Sequence, residues 1–441
     1  MSKLKIAVVG SGISGLACAW LLSKRHEVTL FERDTRLGGH SNTVMAGSAD
    51  GPIGIDTGFI VYNEVTYPNL TALFAHLSVE TARSNMSFAV SLDAGRYEYS
   101  GSGLSGLFGQ PSNLFSPRHL RLVYEILSFF RQARELAGIG CDPELTLADW
   151  LKKSGYSRDF AERHILPMGA AIWSVPAAQM MDFPIAAFAR FFENHGLLKI
   201  RNRPKWRTVI GGSCNYVAKI LADFDGTLRV GFDVQKIKRT DTAVHVHANG
   251  GIVERFDHCV LATHADQALK LLDAPDPLEL SHLGAFGYSD NEVILHIDDS
   301  IMPKRRRLWS SWNYVSNDPA SNPTITYWMN SLQPLMTSQN YFVTLNPIHP
   351  IDAAHTIGRY HYSHPIFDAA ALEKQKCLWE VQGRRRTWFA GSYFGYGFHE
   401  DGLQAGLAVA EILGGVARPW QAEGQNNRLH FTPAVQLEAA Q

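Results

Sequence analysis

A short apolar strand, Ile6 to Val9, runs into Gly10, Gly12 and Gly15. An apolar helix follows from Ile13 to Leu22, and a second strand, Val28 to Phe31, ends at Glu32. This pattern leaves little freedom, because each residue type answers a separate demand. Gly10 permits the tight turn off the strand. Gly12 has no side chain to keep a pyrophosphate from the backbone, and Gly15 lets the helix pack closely on the strand. The unpaired N–H groups of the first helical turn then face the phosphates. Glu32, 22 residues after Gly10, can accept both hydroxyls of an adenosine ribose and would repel a 2′-phosphate. A lone glycine-rich turn is weak evidence. Strand, glycines, helix, strand and acid in this order read as a dinucleotide-binding βαβ unit, with NADP disfavoured.

The spacing does not choose between NAD and FAD. The continuation, RLGGH (Arg36, Leu37, Gly38, Gly39, His40) and GIDTGF (Gly54 to Phe59), is dense in glycine. Such turns let backbone approach a long ligand along its length, and Arg36 can neutralise pyrophosphate charge.

These segments, with TVIGGSCNYV (208–217), VLAT (260–263) and FAGSYFGYGFHEDGLQAGLAVAEIL (389–413), resemble the amine oxidase superfamily of flavoproteins, which includes monoamine oxidase, protoporphyrinogen oxidase and phytoene desaturase. The resemblance spans almost the whole chain. GGHSNT, DTGFIVYNEVTYPNL and GYGFHEDG are similar to a bacterial subgroup known as NAD/FAD-binding proteins. That subgroup is similar in turn to the oxidase-like region joined to cyclopropane fatty acid synthases in plants. The resemblance implies FAD and an α/β fold. A Rossmann-type FAD-binding domain would be assembled from discontinuous segments, beside an α+β substrate domain with a mixed or antiparallel sheet and a helical insert.

It also implies site residues. Glu32, with Arg33 beside it, takes the adenosine ribose, while Gly10, Ser11, Gly12, Ile13, Ser14 and Gly15 line the pyrophosphate. Arg36, Leu37, Gly38, Gly39 and His40, with Thr57 and Gly58, run toward the flavin. Val234 meets the adenine, and Thr263 closes the VLAT strand. Gly391, Ser392, Glu400, Asp401 and Gly402 fall at the ribityl and pyrophosphate end, and Leu403 near the pyrimidine ring. His40 stands where the wider family commonly has Arg. The FGYGFHE segment lacks a flavin-anchoring cysteine, so non-covalent FAD is expected.

Composition narrows the remaining classes. With 41 basic against 42 acidic residues the net charge is −1, which gives no support for a nucleic-acid binder. The 5 cysteines are scattered without a CxxC pair, so neither a metal site nor a disulfide scaffold is indicated, and a reduced, cytoplasmic setting is expected. The first strand consumes the N-terminal apolar run, leaving no secretory signal, and no apolar stretch reaches the roughly 18 residues a membrane span needs. Peripheral contact with the inner membrane face remains compatible with three basic clusters, Arg201–Arg207, Lys304–Arg307 and Arg384–Arg386.

The 441 residues suffice for two or three domains. The first FAD-binding part covers 1–60, and a helix-rich substrate part 61–200. Cofactor-domain character returns over 201–275, aromatic and β-branched strands fill 276–385, and the last FAD-binding part is 386–415. Residues 416–441 read as a polar, loosely held tail. Candidate catalytic residues face the expected ring: His399 and Tyr396 in the terminal glycine-rich loop, His40, and Trp328 beside Tyr327 on an aromatic strand. His361 and His364 lack a third metal ligand, and GGSCN (211–215) lacks the GxSxG form of a hydrolase nucleophile. The leading expectation is hydride removal from an apolar substrate such as a modified fatty acyl chain. An amine or amino-acid oxidase, a carotenoid-type desaturase or isomerase, and a flavoprotein supporting a lipid-modifying partner enzyme are the alternatives. Oligomeric state is left open.

Overall fold

The computed structural model describes residues 2–49, 51–137, 145–173, 177–199, 202–317 and 324–431. Cys141 and Arg201 lie outside them.

One domain is built on a five-stranded parallel sheet, ordered Thr227–Val230, Glu27–Glu32, Lys5–Val9, His258–Leu261, Thr387–Phe389. Its strands come from three distant stretches of chain, as expected for a domain assembled from separated segments. All 11 residues of the first helix, Ile13–Ser23, are buried. A helix apolar on every side needs cover on every side, and the C-terminal helix His399–Gly414 supplies it. A Cβ on Gly406 would lie 2.2 Å from the Ser14 carbonyl oxygen, and one on Gly414 2.5 Å from Leu22. These glycines on one helix face let the two backbones meet. An antiparallel three-stranded unit, Val234–Arg239, Val244–Ala248 and Ile252–Phe256, is inserted between sheet strands, with a turn at 249–251.

The second domain carries a seven-stranded sheet, ordered Thr356–Ile366, Gly287–His296, Phe342–Leu345, Thr324–Trp328, Trp312–Ser316, Phe88–Leu92, Tyr97–Ser100. It is antiparallel except where Trp312–Ser316 runs parallel to Phe88–Leu92. The helical insert packs beside it. Helix Pro117–Ala137 buries Leu122, Ile126, Phe129 and Ala133, at helical spacing, against helix Ile185–Asn194. A π-turn over Ala161–Ile165 interrupts the helical run 158–173 and holds His164.

The segment 356–366, which carries His361 and His364, is a long edge strand. One expectation needs correction: residues 416–431 are not loosely held. Arg418 pairs with Glu411 at 2.6 Å, Trp420 stacks on Trp20, and Phe431 stacks on Trp379. The rest of the anticipated tail, 432–441, lies outside the described residues.

Candidate functional site

The first glycine turn has the geometry its spacing demands. Gly10 has φ +100°, and a Cβ there would lie 2.6 Å from the Ala262 carbonyl oxygen. A Cβ on Gly15 would fall 1.8 Å from the Gly10 oxygen, whereas a Cβ on Gly12 meets nothing within 4 Å. Gly12 therefore fronts open space at the start of a helix, where amide groups are unsatisfied. Glu32 is fixed at the far side of the turn. Its carboxylate accepts from Ser11 N (2.9 Å), Ser11 Oγ (2.6 Å) and Asp34 N (2.9 Å). The RLGGH segment lies on this turn: Gly38 N donates to the Ser11 carbonyl at 3.1 Å, and a Cβ on Gly39 would sit 2.9 Å from Gly12 Cα.

A cavity of about 1400 Å³ begins here. Its wall includes Gly10, Ser11, Gly12, Glu32, Arg36 and Val234, then Gly39, His40, Gly58, Thr263, Gly391 and Ser392. Arg36 Nη1 and His40 Nε2 are both buried without a hydrogen-bond partner. A buried guanidinium nitrogen without an acceptor is costly, and a phosphate oxygen would satisfy it. The open Gly12 front, the fixed Glu32 carboxylate and the unpartnered Arg36 together fit a dinucleotide diphosphate and its ribose.

Beyond the cradle stands a group of neutral imidazoles. The His40 ring lies 5.0 Å from Tyr362, 5.5 Å from His364 and 6.3 Å from His264. Burial, then the positive charge that His364, His264, His399 and Arg36 would share with it, holds His40 well below the ordinary imidazole range. Burial lowers His364 to about 4 and His399 to about 3. The His399 Nε2 is shared between Tyr216 Oη (2.7 Å) and Ser41 Oγ (3.0 Å), and its ring stacks on Phe59 at 3.8 Å. So weak a base, so firmly held, suits positioning more than proton abstraction at neutral pH. Tyr362 is equally fixed, accepting from Asn42 Nδ2 (2.8 Å) and bonded to Thr57 Oγ1 (2.7 Å). Burial raises the Tyr396 phenol, which lies under the Arg428 guanidinium at 4.8 Å.

The cavity then opens into the second domain. Its wall there is mostly apolar: Leu107, Ile126, Leu127, Phe130, Met168 and Ile172 among others, with Trp312 and Tyr327 from the sheet. Its carboxylates, Glu32, Asp34 and Asp233, all belong to the βαβ end, whereas Arg83, Arg203 and Lys205 are the charged residues of the far part. At about 1400 Å³ it exceeds the roughly 300–1,000 Å³ of ordinary ligand pockets, leaving room for a dinucleotide and a second molecule.

Of the residues singled out from sequence, Ile13, Ser14, Arg33, Tyr396 and His399 also line the cavity. Gly15, Leu37, Gly38, Thr57, Glu400, Asp401, Gly402 and Leu403 are not in its wall. Glu400 is turned away, accepting from Asn69 N (3.1 Å), Asn69 Nδ2 (2.7 Å) and Leu70 N (3.0 Å) at the start of helix Pro68–His76. Asp401 accepts from Phe398 N at 2.8 Å and faces Arg428 at 3.5 Å. Gly402 packs on Ser14, where a Cβ would lie 2.7 Å from its Oγ. Trp328 is also placed elsewhere. Its indole N–H donates to Asn340 at 3.1 Å and its ring meets Trp309, because successive strand residues face opposite ways and Tyr327 takes the cavity side. Ser213 donates to Asp56 at 2.7 Å, and burial pushes that carboxyl up to about 6. The GGSCN turn is thus structural. Sequence reasoning did not find Arg83, His164, His195, His264 or Tyr362 in the wall. Only His264, directly after VLAT, and Tyr362, between His361 and His364, stood next to residues already singled out.

The comparisons with known proteins agree with this geometry. A family profile described as an NAD(P)-binding Rossmann-like domain matches residues 8–77. A 4,4'-diapophytoene desaturase (4,4'-diaponeurosporene-forming) of Staphylococcus aureus is 52% identical over 40 residues, which is 9% of this chain and 8% of that protein's length. Among solved structures, cyclohexylamine oxidase from Brevibacterium oxydans has a TM-score of 0.68 at 17% identity, covering 93% of this chain and 100% of that one. A fatty acid isomerase from P. acnes that produces CLA has a TM-score of 0.64 at 16% identity, covering 94% and 99%. The chain shares the fold of these solved structures over nearly its whole length, with a Rossmann-like nucleotide-binding domain at its start.

Proposed function

We propose that this chain, with its amine-oxidase-type fold, is an FAD-dependent oxidoreductase that removes a hydride from an apolar substrate, and that the substrate class is a lipid acyl chain. One observation carries the reading: a single cavity joins the Gly12–Glu32–Arg36 cradle to a chamber walled by aliphatic and aromatic side chains. When bound, FAD supplies the two-electron acceptor that protein side chains lack. Gly10, Ser11 and Gly12 hold its diphosphate with Arg36, and Glu32 holds the adenosine ribose. His40, His264 and Tyr362 form the wall where the cradle gives way to the chamber. Leu107, Ile126, Phe130 and Met168 exclude water from the substrate and align its chain. Among the described residues no strong base stands at this boundary, which suits hydride removal from carbon next to an alkene or a comparable activating group.

The chamber's charged residues favour the lipid reading. Arg83, Arg203 and Lys205 suit an anionic head group on an apolar chain, and among the described residues no carboxylate stands beside them to receive an ammonium. Amine or amino-acid oxidation is the second reading, supported by Tyr362, Tyr396 and Trp312 in the wall and by the oxidase relative. The desaturase match supports the nucleotide motif only, since it covers 40 residues. A role beside a lipid-modifying enzyme would use the same cavity.

The test is anaerobic mixing of the purified, FAD-loaded protein with phospholipids carrying unsaturated or methyl-branched chains, with primary amines and with amino acids. Bleaching of the visible flavin band by the lipids alone is expected. Bleaching by amines alone would replace the lipid reading with the second one.

A further inference from the structure

The helix Pro117–Ala137 is apolar on two sides. Its inner stripe of Leu122, Ile126 and Phe129 is buried in the insert. Its outer stripe should be polar, yet it carries Leu120, Tyr124 and Leu127, which are 46%, 68% and 51% exposed. The preceding turns continue that surface with Leu114 and Phe115, the latter 82% exposed, and with Leu104 at 74%. Six of the 16 exposed large apolar side chains among the described residues therefore fall within 24 residues of sequence. Phe108 ties the short helix Gly103–Leu107 to the start of the long one through His119, with ring centroids 5.6 Å apart. Scattered exposed leucines need no explanation, but a concentration of this kind along one helix face and the turns before it marks an interaction surface.

Charge identifies the occupant. From Ser100 to Ala137 the chain has four arginines, at 118, 121, 131 and 134, and two carboxylates, Glu125 and Glu135. Glu125 is buried, accepting from Ser157 N at 3.0 Å and Arg121 Nε at 3.0 Å. Arg121 pairs with Glu125 and Arg134 with Glu193 at 3.5 Å, which leaves Arg118 and Arg131 as the arginines of this stretch with no ion pair among the described residues. Large apolar side chains beside such arginines match an anionic bilayer surface, where apolar groups enter the acyl boundary and guanidinium groups meet phosphates. The patch also borders the cavity. Ser102, Gly103, Leu107, Ile126, Leu127 and Phe130 all line it, so Leu127 is at once exposed and part of the wall. Among the described residues of the basic clusters seen in sequence, Arg203 and Lys205 join the same wall. Arg305 is paired with buried Glu98 at 2.6 Å, and Arg384 with Asp276 at 3.0 Å. Among the described residues no helix is long and apolar enough to cross a membrane, so this contact would be made from one side.

We propose that the surface of Leu104, Leu114, Phe115, Leu120 and Tyr124 docks the chain on an anionic lipid bilayer, with the cavity mouth at Leu127 facing the head groups. The inference deepens the lipid reading by giving the acyl chain an entry that never crosses water. Its test does not depend on turnover. The full-length, FAD-loaded protein is floated with vesicles of phosphatidylethanolamine and phosphatidylglycerol, and separately with phosphatidylcholine alone. Co-flotation with the anionic vesicles is expected, weakening as salt is raised. The triple variant F115S/L120S/Y124S should lose roughly tenfold or more of the bound fraction while keeping its FAD and its melting temperature. R118Q/R131Q should remove most of the preference for anionic vesicles. The proposal is overturned if the parent protein ignores anionic vesicles, or if the triple variant binds as the parent does. It is also overturned if sedimentation shows a dimer that the triple variant dissociates, because the patch is then covered by a second copy. Failure to take up FAD is scored separately by colour and bears on the oxidoreductase reading alone.

Discussion

Replacing Gly12 by alanine separates cofactor grip from folding. The backbone at Gly12 has φ −64° and ψ 176°, an ordinary conformation for any residue, and the new Cβ meets nothing within 4 Å. Alanine is a poorer helix cap than glycine but costs the unfolded chain less entropy, so these effects nearly cancel, within about 0.5 kcal/mol. Stability of the cofactor-free protein should hardly move. The methyl group instead enters the space where a diphosphate must approach the helix-start amides. Losing one hydrogen bond to a charged oxygen costs about 1.5–3 kcal/mol, an affinity loss of about ten- to hundred-and-fifty-fold. Gly15→Ala is the contrasting control. Its Cβ would lie 1.8 Å from the Gly10 carbonyl oxygen, so the turn itself must shift. Overpacking of this severity should cost at least about 3 kcal/mol of stability. The assay is FAD titration followed by flavin fluorescence, with thermal unfolding of the cofactor-free forms alongside. If Gly12→Ala binds FAD as tightly as the parent, the diphosphate does not lie on this turn.

Three further outcomes can be stated. Arg36→Met should weaken FAD binding by about 1.5–3 kcal/mol without lowering the melting temperature of the cofactor-free protein, since Arg36 Nη1 lacks a partner there; a lower melting temperature would give Arg36 a structural role. Arg428→Met leaves buried Asp401 without its counter-charge and should destabilise the fold by about 3–5 kcal/mol, read by denaturant unfolding; a loss below about 1 kcal/mol would return the C-terminal segment to the status of a loose tail. Acid should unfold the protein from pH 6.5 downward. His164, His195 and His399 are held near about 3 and His364 near about 4 by burial, so their stability is present above the unfolded value and is lost as pH falls toward the folded ones. At pH 5 each forfeits up to about 2 kcal/mol, and the four about 8. Asp56 opposes them: with its folded value raised to about 6, protonation between pH 7 and pH 5 returns about 1.4 kcal/mol. A melting temperature that stays level from pH 7.5 to pH 5 would contradict this balance.

The parts of the site that sequence disclosed are those encoded by backbone geometry over short spans. Gly10, Gly12, Gly15 and Glu32 each meet a local steric or charge demand, so their spacing carries the information. The chamber is different. Ile126, Met168, Trp312 and Tyr327 come from elements that meet only in three dimensions, and nothing local distinguishes a cavity wall from a core. Strand phase misplaced Trp328, because an aromatic pair on a strand sends one ring to each face. The strand 356–366 was hidden by Pro365, which a central strand rejects but an edge strand tolerates, and this strand is the sheet's edge. The order in residues 416–431 was hidden because polar composition suggests solvent, while Arg418 and Arg428 spend their charge on Glu411 and Asp401 inside the fold.

The most direct measurement is an experimental structure of the protein loaded with FAD. Density for the diphosphate is expected on the Gly10–Gly12 turn against Arg36, with the ribose on Glu32 and the ring system at the boundary between His40 and the apolar chamber. A cofactor lying outside this cavity, or a ring walled off from Leu107, Ile126 and Met168, would contradict the reading of one continuous site for cofactor and apolar substrate.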